Sequence, residues 1–327
     1  MLKKLVLFVL FDLAFRIESA NPPYGQLQIT GTHVTNSSGS SVQLRGMSLY
    51  FSMWQSQFWN WDTVMRLRYG WNANIVRAPM GITNGGYLDS PEYNYGLMKA
   101  VIEAAINQGV YVIVDWHEEF AFQHYTQAIQ FFTNISATYG NYPHIIYEIY
   151  NEPNGNVSWS TIKWYAEQVI PAIRKNDPNN IIVLGTPSWS SRVDTAANDP
   201  LNSTYSKNVA YTLHYYANVS SSQNDWQRNI TTYAINKGLP IFITEYGTVN
   251  YTGNGAVNPT ESQKWWNYAD QNSLSYCNWA IDIVNESAAA LISGTTASNV
   301  GNSSYWTTSG RLVANKLWST TQFPSSG

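Results

Sequence analysis

The chain has 327 residues, enough for one barrel-sized domain of ~250 residues plus insertions and far too many for a disulfide-stapled miniprotein. It is 44% hydrophobic but only 12% charged, with a formal net charge of −3, which excludes an electrostatic surface built to grip nucleic acid or anionic lipid. Binding must then rest on shape, hydrogen bonds and ring stacking: the 14 Trp and 23 Tyr offer flat faces suited to the C–H surfaces of neutral sugars, although most of these rings are expected in the core.

At the N-terminus, Lys3-Lys4 precede an apolar run over 5–11, and Glu18-Ser19-Ala20 supply small residues for a peptidase. Residues 1–20 therefore read as a secretory signal peptide, despite Asp12 and Arg16, with 21–327 as one catalytic domain. The apolar run is too short to span a bilayer, and no later segment reaches ~20 apolar residues, so no membrane partner is expected. Asn-x-Ser/Thr sequons at Asn36, Asn134, Asn156, Asn202, Asn218, Asn229, Asn250, Asn285 and Asn302 fit passage through a eukaryotic secretory pathway. The expectation is a secreted, extracellular glycoprotein acting as a monomer. Cys277 is the only cysteine, so stability must come from the core and not from an internal disulfide.

In chain order, 26–32 and 41–44 alternate in polarity around Ser37-Ser38-Gly39-Ser40 and read as a hairpin closing the bottom of the domain. Short β-branched or aromatic runs then alternate with longer amphipathic stretches, the pattern of βα units around a parallel sheet. The predicted strands are 42–47, 75–78, 111–115, 145–150, 181–185, 209–214, 241–244 and 276–280. Helices are predicted over 94–108, 126–139, 159–175, 226–237, 260–272 and 311–318, while the fifth, after Ser188, is poorly marked. Gly109, Gly140 and Gly238 follow helical stretches as left-handed stops. Eight strand–helix repeats predict a single-domain (β/α)8 TIM barrel with a short N-terminal β-hairpin.

Polar residues unusual in a buried strand stand at the C-terminal ends of these runs: Arg77, His117, Asn151-Glu152, His214, Tyr216, Glu245 and Trp279. In a closed barrel those ends converge on one face, where active sites of this architecture lie. Glu152 and Glu245, on the fourth and seventh strands, would face each other across the mouth, the arrangement that retaining glycoside hydrolysis requires at a separation of ~5–5.5 Å. A carboxylate beside Arg77 stays ionised, while its partner feels that charge and keeps its proton longer.

Arg77, Asp115-Trp116-His117, Tyr150-Asn151-Glu152-Pro153, His214-Tyr215-Tyr216, Ile243-Thr244-Glu245-Tyr246-Gly247 and Trp279 resemble, in order and spacing, the motifs of glycoside hydrolase family 5 endoglucanases, over nearly the whole chain after the leader. The resemblance implies that Glu152 is the acid/base and Glu245 the nucleophile of an endo-β-1,4-glucanase acting on cellulose and related β-glucans. It further implies that Asn151 bonds the substrate 2-hydroxyl, that Arg77 and Tyr216 orient Glu245 and keep it ionised, that His117 and His214 line the cleft, and that Trp279 is the sugar platform beside the scissile bond. Two positions depart from the family pattern. Ser48-Leu49-Tyr50 stands where many relatives carry a His or another polar residue, and Val284 stands where many carry Lys, while Glu286 keeps its place.

Each residue has a plainer reading. Arg77 could be a structural ion-pair partner, and the two histidines could be core residues or metal ligands, but no Cys cluster or His-x-x-x-His spacing accompanies them and neither metal nor cofactor is expected. Asp115 reads as an orienting residue. Glu118 and Glu119, in a loop, and Glu148, opposite in direction to Ile149, are assigned no chemistry. Trp54, Trp59 and Trp61, in the loop 51–61, and Trp189 are candidate sugar platforms or packing residues. The competing functions are a retaining β-mannanase, glucomannanase or xyloglucanase on the same two glutamates, and a carbohydrate-binding protein without turnover.

Overall fold

The computed structural model describes residues 19–323; nearly all of the proposed leader and the tail 324–327 lie outside them. A two-stranded sheet, β1 (Gln28–Thr30) and β2 (His33–Thr35), precedes a closed parallel barrel. The barrel strands are β3 (Arg45–Leu49), β4 (Ile75–Gly81), β5 (Tyr111–His117), β6 (Ile145–Tyr150), β7 (Ile181–Leu184), β8 (Val209–Tyr216), β9 (Ile241–Gly247) and β10 (Tyr276–Ile281). They pair in sequence order, and β10 closes on β3. Helices α1 (Trp61–Gly70), α2 (Pro91–Gln108), α3 (Tyr125–Tyr139), α4 (Trp159–Arg174), α5 (Pro187–Ser190), α6 (Val193–Asn198), α7 (Ser221–Asn236), α8 (Pro259–Gln271) and α9 (Thr308–Thr320) complete the chain. The (β/α)8 barrel is as expected.

Helix starts have local causes. Ser158 and Ser220 accept hydrogen bonds from the backbone of Thr161 and Gln223, capping α4 and α7, and Pro91 and Pro259 occupy the first turns of α2 and α8, where a missing N–H costs nothing. Helix ends follow the expected glycines at Gly109 and Gly238, both at positive φ. Gly140 differs: its φ is −61°, and a Cβ there would stand 2.4 Å from the Ser136 carbonyl oxygen and 2.8 Å from Asp177 Cβ, so close packing and not a left-handed turn demands glycine.

The hairpin also differs from expectation. β1 pairs with β2 around Gly31-Thr32, while 37–40 forms a second turn that brings Ser41 back to Thr35 in an isolated bridge. Val42 extends this arm, donating to the Val34 carbonyl, so the first barrel strand begins at Arg45 instead of Val42. The arm does close the bottom of the barrel. Leu27, Val34, Val42 and Leu44 pack against Ile75, Tyr111, Ile146 and Ile181, which begin or lie near the start of their strands. A larger apolar layer joins the outer faces of the strands to the helices, so only the C-terminal mouth remains for a polar site.

Candidate active site

Period-two alternation carries the barrel interior upward from that apolar floor. On β4 it runs from Ile75 to Arg77, on β5 from Ile113 to Asp115 and His117, on β6 from Ile146 to Glu148, and on β8 from Ala210 through Thr212 to His214 and Tyr216. On β9 alternation selects Phe242 and Thr244, which would turn Glu245 outward. Here the register shifts. Thr212 pairs with Phe242 but His214 pairs with Glu245, so β9 carries one extra residue, and the β10 pairing shifts at the same place. This bulge turns both Thr244 and Glu245 inward, a local re-aiming for which bulges are used beside active sites.

Arg77, fully buried, is the centre of the polar layer. Its guanidinium lies 2.9 Å from Asp115, 2.7 Å from Glu148 and 2.9 Å from Glu245, and donates at 2.6 Å to Asn151 Oδ1. Burial opposes ionisation of all three carboxyls, and the outcome depends on the remaining partners. Glu148, bonded by Arg77 and Thr244, is held down at about 2. Asp115 rises to about 6, because burial and the Glu148 charge outweigh Arg77 and the 2.7 Å contact with His117 Nδ1. For Glu245 burial is overridden by the charges of His214 and Arg77 and by the Tyr216 hydroxyl, which donates at 2.7 Å, so it sits below the ordinary carboxylate range.

Glu152 has the opposite bias. Burial and the Glu245 charge raise it, against the lowering effect of His214, whose Nδ1 is 2.7 Å away. One carboxyl oxygen of each glutamate and one nitrogen of His214 all lie within 4.8 Å of one another. Such a trio is also a ligand set for a cation, but both nitrogens of His214 are engaged, Nδ1 by Glu152 and Nε2 by Thr244 Oγ1 at 2.9 Å. Although burial opposes it, the surrounding Glu245, Glu148 and Glu152 push His214 up to about 10, and an imidazolium does not bind metal.

The mouth is walled by aromatic rings. Trp279 stacks on His117 with centroids 5.4 Å apart and meets Tyr50 at 5.1 Å and Phe51 at 5.5 Å, while Trp54 leans on Phe51 at 4.7 Å. Trp54 is half exposed, as a platform must be, whereas Trp59 is buried, donating to the Tyr50 carbonyl, and Trp61 heads α1. Across the cleft, Ser188, Trp189 and Ser190 all take positive φ, an unusual run for non-glycine residues. This kink is tied down where Ser190 Oγ donates to the Asn151 carbonyl and Trp189 N–H to the Pro153 carbonyl. It sets the exposed Trp189 ring at the edge of a cavity of about 770 Å³ that Glu152, Glu245, Tyr216 and Tyr251 also line. A second hollow, of about 490 Å³, adjoins it past Glu152, with His117, Phe51 and Glu118 on its walls.

The residues singled out from the sequence reach this mouth or its support, with three exceptions: Glu286 stands beside it, Trp59 is buried, and Trp61 turns away at the head of α1, its indole donating to Asn107 Oδ1. The Glu286 carboxyl packs so closely on the turn at Gly253 that a Cβ there would stand 2.6 Å from Oε2, and its Oε1 has no partner. Neighbouring Asp282, pushed up to about 8 by burial, also has an unpartnered oxygen, and Val284 brings them no charge. Glu148, assigned no chemistry from the sequence, lies inside the polar layer with Thr244, and Tyr50, Phe51 and Tyr251, given no role there, stand on the walls. Strand alternation was a sufficient signal for Glu148, which points inward because Ile149 points out to the helices.

The profile of the family described as cellulase, glycosyl hydrolase family 5, matches residues 35–285. An endoglucanase of Clostridium saccharobutylicum is 40% identical over 314 residues, covering 94% of this chain and 69% of that protein. Endoglucanase Z of Dickeya dadantii is 47% identical over 249 residues, 75% of this chain and 57% of the relative. The chain thus spans little more than half to about two thirds of the length of these curated relatives. Among solved structures, the catalytic domain of Thermobifida fusca endoglucanase in complex with cellotetraose superposes with a TM-score of 0.84 at 33% identity, covering 90% of this chain and 98% of that one. All three relatives are bacterial, so they lend nothing to a eukaryotic reading of the sequons. With a family match over 35–285 and every family motif gathered at one barrel mouth, the chain belongs to the cellulase family, glycosyl hydrolase family 5.

Proposed function

We propose that this chain is a retaining endo-β-1,4-glucanase that cuts internal bonds of cellulose and related β-glucans, with Glu245 as nucleophile and Glu152 as acid/base. The observation that carries the reading is the pair of carboxyls, with oxygens within 4.8 Å of each other and opposite protonation bias. Retaining glycosidases hold them ~5–5.5 Å apart, whereas inverting ones need ~6.5–9.5 Å to admit a water between them. In the first step the ionised Glu245 attacks the anomeric carbon while protonated Glu152 gives its proton to the departing 4-oxygen. In the second, Glu152 takes a proton from water, whose oxygen displaces Glu245 from the ester.

The supporting residues follow from their contacts. Arg77 and Tyr216 hold and orient Glu245; Asn151, fixed by Arg77, presents its amide toward a 2-hydroxyl; His117 backs Trp279, the platform for the sugar that is attacked. Trp189 hangs beside Pro153 next to the acid and would stack on the leaving portion, Trp54 on a more distant sugar, and Glu286 would bond a hydroxyl on the Trp279 side. The relatives' endoglucanase names and the cellotetraose bound to one of them support a β-1,4-glucan substrate. A secreted, N-glycosylated monomer remains part of the proposal; among the described residues no helix is long and apolar enough to cross a membrane.

Viscosity loss and reducing-sugar release on carboxymethyl-cellulose, β-mannan, xyloglucan and barley glucan test the substrate. Rapid viscosity loss on carboxymethyl-cellulose is expected. Preference for mannan or xyloglucan would keep the mechanism and replace the substrate, and silence on all four would leave a binding protein.

Glu152→Ala should lose ~10²- to 10⁴-fold on polysaccharide, the usual contribution of a general acid, yet retain glycosylation by an aryl cellobioside whose leaving group needs no proton. Azide should then restore turnover and yield the β-glycosyl azide; formation of the α-azide would reverse the two roles. For the exposed platforms, Trp54→Ala and Trp189→Ala should each lower kcat/KM on cellopentaose by about 3- to 10-fold, corresponding to ~0.5–1.5 kcal/mol of ring contact. Unchanged kinetics would return that ring to a packing role.

A further inference from the structure

Beneath the catalytic pair runs a chain of hydrogen bonds that the two-carboxylate mechanism does not use. Thr244 Oγ1 donates to Glu148 Oε1 at 2.6 Å, lies 2.9 Å from His214 Nε2, and is in short contact with Thr212 Oγ1. Glu148 is a carboxylate locked to Arg77, and as such it can only accept. The single Thr244 hydroxyl proton is therefore spent on Glu148, and toward His214 the Thr244 oxygen can only accept. Nε2 must carry a hydrogen. The other nitrogen, Nδ1, then shares one proton with Glu152 Oε1 across 2.7 Å.

We propose that Thr244 and Glu148 are positioning residues that fix His214 as an Nε2–H donor and thereby set the pH window in which Glu152 carries the catalytic proton. The inference rests on the reading of Glu152 as acid/base. The charged groups around His214 are Glu148 and Glu152 from β6 and the residues after it, and Glu245 from β9. Arg77 on β4 bonds Glu148 and Glu245, and Asp115 and His117 on β5 adjoin that arginine. Three carboxyls thus favour a charged His214; its Nε2 faces Glu148 Oε1 at 3.8 Å and, at hydrogen-bond distance, Thr244 Oγ1, which links it to that same carboxylate.

Removing the Thr244 hydroxyl has a definite sign. Without the Thr244 oxygen, Nε2–H keeps only the Glu148 carboxylate at 3.8 Å, the imidazolium is held less tightly, and the proton shared across Nδ1 moves toward Glu152, so the acid keeps its proton to higher pH. As that proton moves toward Glu152, Glu245 feels less of the His214 charge and is protonated at higher pH than before. Both limbs of the bell move the same way.

The experiment is the pH profile of kcat/KM on a cello-oligosaccharide for the full chain, Thr244→Val and Thr244→Ser, with thermal melting to establish folding and the Glu152→Ala azide rescue alongside. Thr244→Val should shift both limbs upward by ~1 pH unit, the size of one interaction with a partly buried charge, and Thr244→Ser, which restores the hydroxyl, should return them. A lower rate with unmoved limbs in a folded Thr244→Val protein would overturn the proposal, as would a shift that Thr244→Ser fails to reverse. Failure of azide rescue would instead sink the assignment of Glu152, so the two failures are told apart.

Discussion

Glu245→Gln should abolish measurable turnover, by ~10⁴-fold or more, the scale on which removal of a catalytic nucleophile is felt in other hydrolases, while the protein still folds. An amide oxygen cannot form the glycosyl ester, and an aryl leaving group does not help because the missing group is the attacking one. Folding survives because the Gln carbonyl oxygen can accept from Arg77 while its NH2 donates to the Tyr216 hydroxyl oxygen, the two groups now 2.9 and 2.7 Å from Glu245. Arg77 also keeps Asp115 and Glu148 as counter-charges. The variant should show an unchanged melting profile and bind cello-oligosaccharides. Residual activity above ~1% that contaminating wild type does not explain would remove Glu245 from the nucleophile's role.

Arg77→Met should destabilise the fold by ~3–5 kcal/mol, the penalty typical of breaking a buried ion pair from one side. For a domain of this size that lowers the melting temperature by ~6–20 °C, at ~2–4 °C for each kcal/mol. The cause lies in what remains: Asp115, Glu148 and Glu245 would share a closed interior with no guanidinium, and a methionine of similar length fills the volume but donates nothing. Arg77→Lys should recover only part, since one ammonium cannot meet three carboxyls and Asn151 in the planar arrangement that Arg77 provides.

The pH dependence of the Arg77→Met defect has a fixed sign. Without Arg77 the folded-state pKa values of these carboxyls rise above their unfolded values. The folded variant then binds more protons than the unfolded chain, and its stability increases as pH falls. In the wild type, Glu148 is depressed to about 2; its contribution is present at neutral pH and declines on acidification toward that value. Chemical denaturation at pH 7 and pH 4.5 should therefore find a smaller gap between wild type and variant at the lower pH. A constant gap would mean that packing, and not charge, is what Arg77 supplies.

The barrel was legible because its strands are short apolar runs set off by helix-length amphipathic stretches; seven of the eight begin where the residues predict. The first did not, because Val42 and Leu44 are apolar for a different reason, as part of the arm that plugs the floor. The site was legible because Arg, His, Asn and Glu at strand ends have no place in an apolar ladder. Its supporting layer was harder to see. Glu148 looks spare in the sequence because its opposition to Ile149 gives a direction but not the Arg77 guanidinium that meets it inside the barrel, and no local pattern marks the bulge that turns Glu245 inward after Thr244. The left-handed run at 188–190 belongs to no sequence signal either, since Ser-Trp-Ser adopts it only where Ser190 and Trp189 bond back to the residues around Glu152. Tyr50 and Tyr251 were hidden among many tyrosines, and only proximity to Trp279 and to the cavity distinguishes them.

The most direct test of the central claim is to incubate the protein with a 2-deoxy-2-fluoro-β-cellobioside bearing a dinitrophenolate leaving group and to map the labelled peptide by mass spectrometry. The account predicts stoichiometric inactivation with the fluorocellobiosyl group esterified to Glu245. A label on Glu152, or a protein that releases α-configured product from cellotetraose and never acquires a label, would contradict it.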